Sequence, residues 1–594
     1  MIVLGMHDNH SASVCLLVDG EILAIAEEER YTRVKMDSGF PKASIDALIE
    51  QYPYEMANID YVGVACIFQS YKDFATKRYP GFKIRDFLIE ENKYWLPILN
   101  GEKPNYLKVM KDYINLQNCH YDLKKIKNPD DSEELQNLRR SHIADYLNIS
   151  KKKVFFIDHH LSHAHHGFYS SQIDTDAIVF TIDGWGDFAN ATINMVRSGK
   201  LECIYRTDQF NLGRIYHFVT LLLGMQPEQH EYKVMGLAAY AKEHYIVEPL
   251  KVFEKMYKVE GLDIKPLMKI KNHYQYLKNE LEGYRFDAIA GAAQRYVENM
   301  LKEWVRNWVK ETGINNVILT GGVALNIKAS KIISELDSVS KIHVPMGSGD
   351  ESLSIGAAQY MWSVKNDPTL LQKIDSPYLG LGYSNEDALS VLDHPYVKEN
   401  FNIKENCSPK DIASILASGE IVAYMQGRME FGPRALGNRS ILASPIDQNI
   451  VQVINTAIKN RDFWMPFTPS ILAEFAPKYI INPKKIDARY MTMAFDSTDE
   501  AKNKLKAAIH QVDSTLRAQL VFKELNPRYH AIISEFSEMT GVGALLNTSL
   551  NIHGKPIVHK PVNVIDEILV NPLVELNYFV FDDFLIYRKG KESI

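Results

Sequence analysis

One order of strands and turns occurs twice in this chain, and it limits the fold more than any other feature. Residues 2–30 read as strand, polar loop, strand, a tight Asp19-Gly20 turn and strand. Residues 176–206 repeat this order, with an Asp/Gly-rich loop after the first strand and a Ser-Gly-Lys turn before the third. An Asp-Gly pair between apolar runs is typical of a β-hairpin. We interpret the pair as an internal duplication of a hairpin-rich unit.

Residues 71–150, between the two copies, are polar and rich in lysine and tyrosine. Helical periodicity in "SEELQNLRRSHIADYLNI" predicts an inserted helical subdomain. The alternative is an acceptor-binding cap. A long helix is predicted to end at Gly313, and a strand then runs into Gly321-Gly322. A second glycine turn, "GSGDES", follows within thirty residues, and two such turns favour a phosphate or nucleotide site.

The amino-acid composition changes at "NDPTLLQKIDSP", residues 366–377, which we interpret as a linker. A chain of 594 residues is too long for one ordinary core, so we predict two domains.

The five cysteines contain no CxxC pair, which excludes a cysteine zinc knuckle and fits a reducing cytoplasm. The opening "MIVLGMHDNH" lacks the features of a signal peptide, and no apolar run is long enough for a membrane span. We therefore expect a cytoplasmic protein without a membrane partner.

Five histidines fall within eight residues in "HHLSHAHH", residues 159–166. If Asp158 caps a helix that begins at His159, then His159 and His163 share one face. Asp183, at the end of the next strand, and Asp350, in the second glycine turn, could add carboxylates. Two histidines and one or two carboxylates suit Fe(II), Mn(II) or Zn(II). Spacing alone does not choose between this metal site and an exposed histidine-rich helix end.

Arginine and lysine residues collect beside glycine, proline and serine turns in the predicted second domain. The guanidinium group of arginine can donate two parallel hydrogen bonds to phosphate oxygens, and lysine adds a point charge. Their convergence would form an anion pocket, whereas singly each is a solvated surface charge. The net charge of −7 and the lack of regularly interleaved aromatic residues argue against nucleic acid. The basic residues are Arg428, Arg434, Arg439, Lys459, Arg461, Arg517 and Arg528.

Taken together, these motifs resemble the O-carbamoyltransferases of nodulation-factor and antibiotic biosynthesis. The matching segments stand in the family's order and cover nearly the whole chain apart from residues 71–150. They are "HSASVCLLVDGEILAIAEEERYTRVKMDSGFP", "HHLSHAHHGF", "DGWGD", "EYKVMGLA", "GGVALN", "GSGDES", "GPRALGNRS", "VDSTLRAQ" and "LLNTSLN".

The resemblance implies an α/β protein with two domains. Residues 1–365 would form a duplicated actin-like domain of the sugar-kinase/heat-shock/actin superfamily (ASKHA, Kae-like), with the helical insertion at about 71–150. Residues 378–594 would form a YrdC-like α/β domain. That second domain would convert carbamoyl phosphate and ATP to carbamoyl-adenylate, and the first would pass the carbamoyl group to a hydroxyl of a small molecule or glycan.

The resemblance also assigns roles to individual residues. A metal, described as iron, would be held by His159, His163, Asp183 and Asp350. The catalytic set would be His10, as general base for the acceptor hydroxyl, with Lys35 and Asp350 beside the adenylate. The nucleotide would contact Gly321, Gly322 and Asn326. The pocket for carbamoyl phosphate and Mg-ATP would contain Arg434, Arg439, Lys459, Arg517, Arg528 and Ser549.

The chain departs from the family pattern at several positions. Ser11 stands where an aspartate is usual after the first histidine, and Met465 stands where an arginine is usual. Further departures are Ser352, Leu550 and Lys555. None removes a proposed ligand or base, so we expect a divergent member with an unusual acceptor.

Two other functions are compatible with parts of this pattern. An enzyme of the tRNA threonylcarbamoyladenosine type would share both domain types, but the "GPRALGNRS" and "DGWGD" segments fit the carbamoyl family better. An actin-like assembly ATPase would need neither the histidines nor the arginines. The expected partners are ATP, carbamoyl phosphate and a hydroxyl acceptor, and a homodimer stays open.

Overall fold

The structure is a computed structural model and describes residues 1–76, 78–113 and 120–591. The chain forms two compact units, Met1–Ile374 and Asp375–Ile594. Cys119 lies outside the described residues, and Cys15, Cys66, Cys203 and Cys407 are free thiols. Among the described residues no helix combines the length and the apolar character that crossing a membrane requires.

The first unit contains two five-stranded sheets of the same topology. In the first sheet, strands β1 to β3 are antiparallel neighbours, and β4 and β5 add in parallel beside β1, giving the order β3-β2-β1-β4-β5. These strands are β1 (Ile2–His7), β2 (Ser13–Val18), β3 (Glu21–Glu27), β4 (Tyr61–Ala65) and β5 (Val154–Ile157).

The second sheet repeats this arrangement, with the order β8-β7-β6-β11-β12. Its strands are β6 (Ala177–Gly186), β7 (Ala189–Arg197), β8 (Lys200–Thr207), β11 (Asn316–Thr320) and β12 (Lys341–His343), and a separate hairpin joins β9 (Tyr257–Glu260) to β10 (Asp263–Pro266). Each sheet thus has three antiparallel strands followed by two parallel crossovers. The predicted duplication is confirmed, and the first unit has the actin-like fold.

Helices connect and cover these sheets. The long helix ends at Gly313, as predicted, in the left-handed conformation (φ 68°) that glycine adopts readily. The helices of the first unit are α1 (Glu28–Thr32), α2 (Lys42–Gln51), α3 (Pro53–Ala57), α4 (Tyr71–Thr76), α5 (Arg78–Gly81), α6 (Ile84–Glu90), α7 (Leu96–Leu99), α8 (Tyr106–Val109), α9 (Ser132–Tyr146), α10 (His159–Tyr169), α11 (Leu212–Leu222), α12 (Glu231–Ala238), α13 (Glu243–Glu254), α14 (His273–Glu280), α15 (Phe286–Thr312), α16 (Ile327–Ser334) and α17 (Leu353–Ser363).

Helices α4 to α9 form the segment between β4 and β5 of the first sheet, which we call the insertion (residues 71–150). It has an apolar cluster of its own, which includes Phe82, Phe87 and Tyr106. The cluster also packs against Leu221 of α11 and Tyr274 of α14. Burying aromatic side chains against two helices of the main fold attaches the insertion firmly to the first unit.

The second unit is a mixed α/β domain built on an eight-stranded sheet of order β13-β23-β22-β14-β15-β21-β16-β20, with a small sheet of order β17-β18-β19. The strands are β13 (Phe401–Lys404), β14 (Val422–Met425), β15 (Arg439–Ala443), β16 (Thr468–Leu472), β17 (Ile480–Ile481), β18 (Phe495–Ser497), β19 (Thr515–Leu516), β20 (Gln519–Val521), β21 (Ala544–Ser549), β22 (Tyr578–Phe581) and β23 (Phe584–Arg588). The helices are α18 (Asn385–Asp393), α19 (Pro395–Asn400), α20 (Pro409–Ala417), α21 (Asn449–Ile454), α22 (Ala476–Tyr479), α23 (Asp499–Lys504), α24 (Pro527–Thr540) and α25 (Pro561–Val564).

Candidate active site

The histidine-rich segment folds as its spacing predicts. Strand β5 ends at Ile157, and the Asp158 side chain caps α10 by accepting the Leu161 N–H at 2.9 Å. His159 and His163 lie one turn apart on the same face. All five histidines are buried, so the alternative of an exposed histidine-rich helix end is wrong.

The other three histidines hold the fold together. His160 Nδ1 lies 2.7 Å from Thr181 Oγ1, in β6. His165 Nδ1 contacts the Leu161 carbonyl, and His166 Nε2 contacts the Met346 carbonyl, both at 2.9 Å. Each of these rings therefore satisfies a polar group of the interior, so that of the five histidines in this segment His159 and His163 face the two aspartates.

Two aspartates from distant parts of the chain meet this pair. Asp183 projects from β6, and Asp350 lies immediately before α17. His163 Nε2 is 3.1 Å from Asp183 Oδ2 and 3.4 Å from Asp350 Oδ1. His159 Nε2 is 3.5 Å from Asp183 Oδ2 and 3.8 Å from Asp350 Oδ1. We call these four residues the histidine–aspartate cluster; one ligand atom from each lies within 4.8 Å of the others.

The cluster fits a divalent transition metal. His159 Nε2 is buried and, within the described part of the chain, has no hydrogen-bond partner. A buried ring nitrogen without a partner is costly unless it binds something else. Two imidazole nitrogens and two carboxylates suit Fe(II), Mn(II) or Zn(II). Such an ion, when bound, would supply a positive charge that polarises phosphate or carbamoyl oxygens.

The charges of the cluster stabilise one another. Burial opposes protonation of His163, but the carboxylates of Asp183 and Asp350 outweigh it and raise its pKa to about 9. Burial likewise disfavours the Asp183 anion, yet the close contacts and positive charge of His159 and His163 hold its pKa well below its usual range. Without a metal, the cluster therefore balances two carboxylates against imidazolium groups, and a metal must displace those protons to bind.

Two residues of the "DGWGD" segment fix His159. A Cβ atom added to Gly186 would lie 2.2 Å from His159 Cγ, so only glycine lets β6 approach this ring. The Asp187 carboxylate accepts backbone N–H groups from Ile67, Phe68 and His159. It thereby ties the residues that follow β4 to the start of α10.

The first glycine turn lies beside the same cluster. Gly321 has φ +89°, and a Cβ atom there would meet the Ile182 carbonyl oxygen at 2.4 Å. The Gly322 N–H donates to Asp183 Oδ2 at 3.1 Å. Asn326 caps α16 through the Ala329 N–H and bonds to Gln294. The turn therefore orients a cluster ligand, and its contact with a nucleotide stays a prediction.

His10 and Lys35, the two other predicted catalytic residues, lie in different surroundings. His10 Nε2 lies 3.1 Å from Asp350 Oδ2, the carboxylate oxygen that faces away from His159 and His163. His7, His10 and Asp350 form a second group whose ligand atoms lie within 4.8 Å. Lys35 is half-buried in the turn after α1 and makes no hydrogen bond or ion pair to any described residue.

Three arginines converge in the second unit, and we call them the arginine cluster: Arg434, Arg461 and Arg517. Burial, together with the positive charges of Arg434 and Arg461, pushes the pKa of Arg517 well below its ordinary value. Arg517 Nε is buried without a hydrogen-bond partner, and no described carboxylate pairs with Arg517. Like charges that lie close together in a half-buried site repel, so this arrangement is suited to an anionic ligand.

The other predicted anion-binding residues are engaged within the protein. The Lys459 ammonium donates to Ser549 and to both oxygens of Asn551. Arg439 is fully buried and donates to the carbonyls of Gln426, Gly427, Asn438 and His559. Because its guanidinium donates to four backbone carbonyls, Arg439 has a structural role.

Arg528 is similarly occupied. It pairs with Asp583 and donates to the carbonyls of Cys407 and Asp582. Lys459 and Ser549 lie together at the end of β21, near Arg461, which donates to Thr548. The structure thus brings Arg434 and Arg517 together, while the contacts of Arg439 and Arg528 fix backbone.

Sequence reasoning missed several residues of the site. Cys66, with its Sγ 3.4 Å from His159 Nδ1, has no local motif around it. His7 adjoins His10, which offered a signal, and Gly186 and Asp187 belong to the "DGWGD" segment. Arg139, which forms a buried ion pair with Asp8, lies in the insertion, where helical periodicity carries no chemical information.

Comparison with known proteins follows the same division of the chain. Residues 2–359 match the family model described as the carbamoyltransferase N-terminus, and residues 413–588 match the carbamoyltransferase C-terminus. An uncharacterized protein of Methanocaldococcus jannaschii is 30% identical over 94% of this chain and 95% of its own length. Nodulation protein NolNO of Sinorhizobium fredii is 27% identical over 98% of this chain and 79% of its own length.

Among solved structures, component A of the (R)-2-hydroxyglutaryl-CoA dehydratase from Acidaminococcus fermentans matches 61% of this chain and 97% of its own, with 14% identity and a TM-score of 0.31.

Proposed function

This chain belongs to the carbamoyltransferase family and is a carbamoyltransferase, and from that premise we propose that it is an ATP-dependent O-carbamoyltransferase working in two steps. In the first step, water hydrolyses carbamoyl phosphate in the second unit to carbamate and phosphate. A carbamate oxygen then attacks the α-phosphorus of ATP, which gives carbamoyl-adenylate and releases pyrophosphate. In the second step, the first unit transfers the carbamoyl group to an acceptor hydroxyl, and AMP leaves.

The observation that carries this proposal is the arginine cluster. Arg517 is a half-buried cation with a buried Nε, it lies close enough to Arg434 and Arg461 for their charges to lower its pKa, and no described carboxylate pairs with it. Phosphate-bearing substrates would supply the missing negative charge, and guanidinium forks match phosphate oxygens. Lys459 and Ser549 adjoin this cluster and would complete the pocket. We assign to this pocket the YrdC-like role that the sequence predicts.

In the first unit, the chain's own residues would bind and orient the adenylate. Asp183, Asp350, His159 and His163 would hold iron or another divalent transition metal, which supplies the charge that stabilises the leaving phosphate. His10 would take the proton of the acceptor hydroxyl through a ring nitrogen, because an imidazole oriented by a carboxylate is suited to accept it. Asp350 Oδ2, 3.1 Å away, orients that ring.

The partners in this proposal are Mg-ATP, carbamoyl phosphate and a hydroxyl of a small molecule or glycan. The carbamoyltransferase family models that match both units support a transferase of this class. The proposed reaction involves neither nucleic acid nor a membrane. A reducing cytoplasm suits the four free thiols.

The test needs no acceptor. The full-length protein is incubated with Mg-ATP, with and without carbamoyl phosphate, and pyrophosphate release is followed. We expect release only with carbamoyl phosphate, and its loss in Arg517→Ala. Release that requires threonine and bicarbonate instead would contradict the proposal and favour a threonylcarbamoyl enzyme.

A further inference from the structure

The insertion places one charged side chain in the interior of the first unit. Arg139 of α9 and Asp8, the residue after β1, are both almost completely buried. Arg139 Nε donates to Asp8 Oδ2 at 2.8 Å, and Nη2 donates to Oδ1 at 2.7 Å. The Tyr121 hydroxyl, also from the insertion, donates to the same carboxylate. This paired geometry fixes the carboxylate in direction as well as distance.

Asp8 lies in the loop that carries His10. The loop is further held by His7, whose Nε2 lies 3.0 Å from the His10 carbonyl oxygen. His10 in turn faces Asp350. Because Arg139 and Tyr121 engage both oxygens of Asp8, that carboxylate anchors the loop instead of joining the histidine–aspartate cluster. The insertion therefore anchors the loop that carries His10.

The same guanidinium contacts the segment after β4. Two of its nitrogens lie 3.5 Å from the Cys66 carbonyl oxygen. Cys66 has φ +73°, a left-handed conformation that is unfavourable for a residue with a side chain and persists only where its surroundings impose it. Its N–H donates to the Ile157 carbonyl, and its Sγ lies 3.4 Å from His159 Nδ1.

This contact has the form expected beside a metal ligand. A histidine that binds a metal through Nε2 carries its proton on Nδ1 and needs an acceptor there, which sets the ring orientation. In this protein the Cys66 sulfur is the atom in that position. Arg139 thus touches both the loop of the proposed base and the residue that orients a proposed metal ligand.

We propose that Arg139 is a positioning residue for carbamoyl transfer, holding the His10 loop through Asp8 and the His159 ring through Cys66. The inference rests on the proposed function, and it makes the insertion part of the reaction centre instead of a separable cap. Replacing residues 71–150 by a short linker would then weaken metal binding as well as transfer.

The experiment uses the full-length protein stripped of metal and titrated with Co(II), whose absorption spectrum reports ligand geometry. Arg139→Lys keeps the charge but loses the paired geometry. We expect it to weaken Co(II) binding by about ten- to a hundredfold, the range found when partners of metal ligands are removed. The matched control is Arg140→Met, one residue further along α9, whose guanidinium bonds to Asn137 and lies over Phe156. It should bind Co(II) like the wild type.

A second variant separates positioning from folding. Arg139→Met combined with Asp8→Leu removes both buried charges together, which proteins tolerate far better than the loss of one partner. We expect this double variant to fold, to bind Co(II) weakly, and to retain carbamoyl-phosphate-dependent pyrophosphate release. Cys66→Ser, which keeps an acceptor for His159, should bind Co(II) more tightly than Cys66→Ala.

Wild-type Co(II) affinity and an unchanged spectrum in Arg139→Lys or in the double variant would overturn the proposal. A wild-type protein that binds no Co(II) would overturn it together with the metal centre. If the wild type releases no pyrophosphate with carbamoyl phosphate while Arg139→Lys still weakens Co(II) binding, the proposed function fails and the positioning role stands.

Discussion

In the first unit two histidines face two aspartates, whereas in the second unit the positive charges of Arg434 and Arg461 act on a third arginine, Arg517. Opposite charges let the histidine–aspartate cluster balance itself, as the raised pKa of His163 and the lowered pKa of Asp183 indicate. The arginine cluster has no such internal balance at Arg517. The difference indicates that the first centre balances its own charges, whereas an anionic ligand would balance the positive charge of the second.

Removing one member of the arginine cluster should give the largest effect on activity. We expect Arg517→Ala to lower carbamoyl-phosphate-dependent pyrophosphate release by about 100- to 1000-fold, the cost of losing one donor to a charged reacting group. The melting temperature should stay the same or rise, because the change removes repulsion. Arg588→Ala, where the guanidinium lies over Phe401, is the control and should leave release unchanged. A clear loss of stability in Arg517→Ala would contradict the contrast between the centres.

Removing one member of the histidine–aspartate cluster should weaken metal binding and leave pyrophosphate release intact. We expect Asp183→Asn to weaken Co(II) binding by about a hundredfold or more, since it removes a ligand and not merely a partner of one. Pyrophosphate release by the second unit should persist. Asp174→Asn, an exposed site with the same charge change, serves for comparison. Equal loss of pyrophosphate release would show that the two centres do not work separately.

A methyl group can test the close approach in the "DGWGD" segment. Gly186→Ala would place a carbon 2.2 Å from His159 Cγ, and relieving this overlap should cost about 1–3 kcal/mol of stability and weaken Co(II) binding by about tenfold. Gly184→Ala is the matched control, because nothing lies within 4 Å of an added Cβ atom there. Isothermal titration and thermal unfolding of both variants give the comparison. Equal behaviour would mean that β6 can move away from His159.

Acid should destabilise the first unit through protonation of Asp8. At neutral pH no such loss of stability is expected. Burial opposes ionisation of Asp8, but the charge and hydrogen bonds of Arg139 outweigh it, so its pKa lies below the ordinary value of 3.8. The stabilisation is present above pH 3.8 and is lost as pH falls through the lower, folded-state pKa. Hydrogen exchange in peptides around β1 between pH 2 and pH 5 would measure it. Asp8→Asn should flatten this pH dependence, and an unchanged slope would exclude Asp8 as its source.

Much of the fold follows from short-range patterns in the sequence. Asp-Gly turns between apolar runs identify hairpins, and the repeat of that order predicts the two sheets of the first unit. Asp158 predicts the start of α10, because a short acidic side chain satisfies free N–H groups at a helix N-terminus. These are properties of neighbouring residues, so the sequence alone determines them.

The site is only partly predictable in this way. The pairing of His159 with His163 follows from helical spacing, but their meeting with Asp183 and Asp350 was expected from a family resemblance. The sequence also places Arg439 and Arg528 with the anion-binding residues. The structure engages both with backbone carbonyls, because a guanidinium looks the same in sequence whether it binds a ligand or the chain itself.

The sequence by itself determined the duplicated fold, the helix that presents two histidines, and the glycine turns that let strands approach one another. Only the tertiary structure decided which charges are balanced: Arg139 reaches Asp8 across 131 residues, and Cys66 reaches His159 across 93. The physical reason is that charge and hydrogen-bond partners depend on distance in space. Backbone patterns that span a few residues carry no information about which distant side chains will share a buried site.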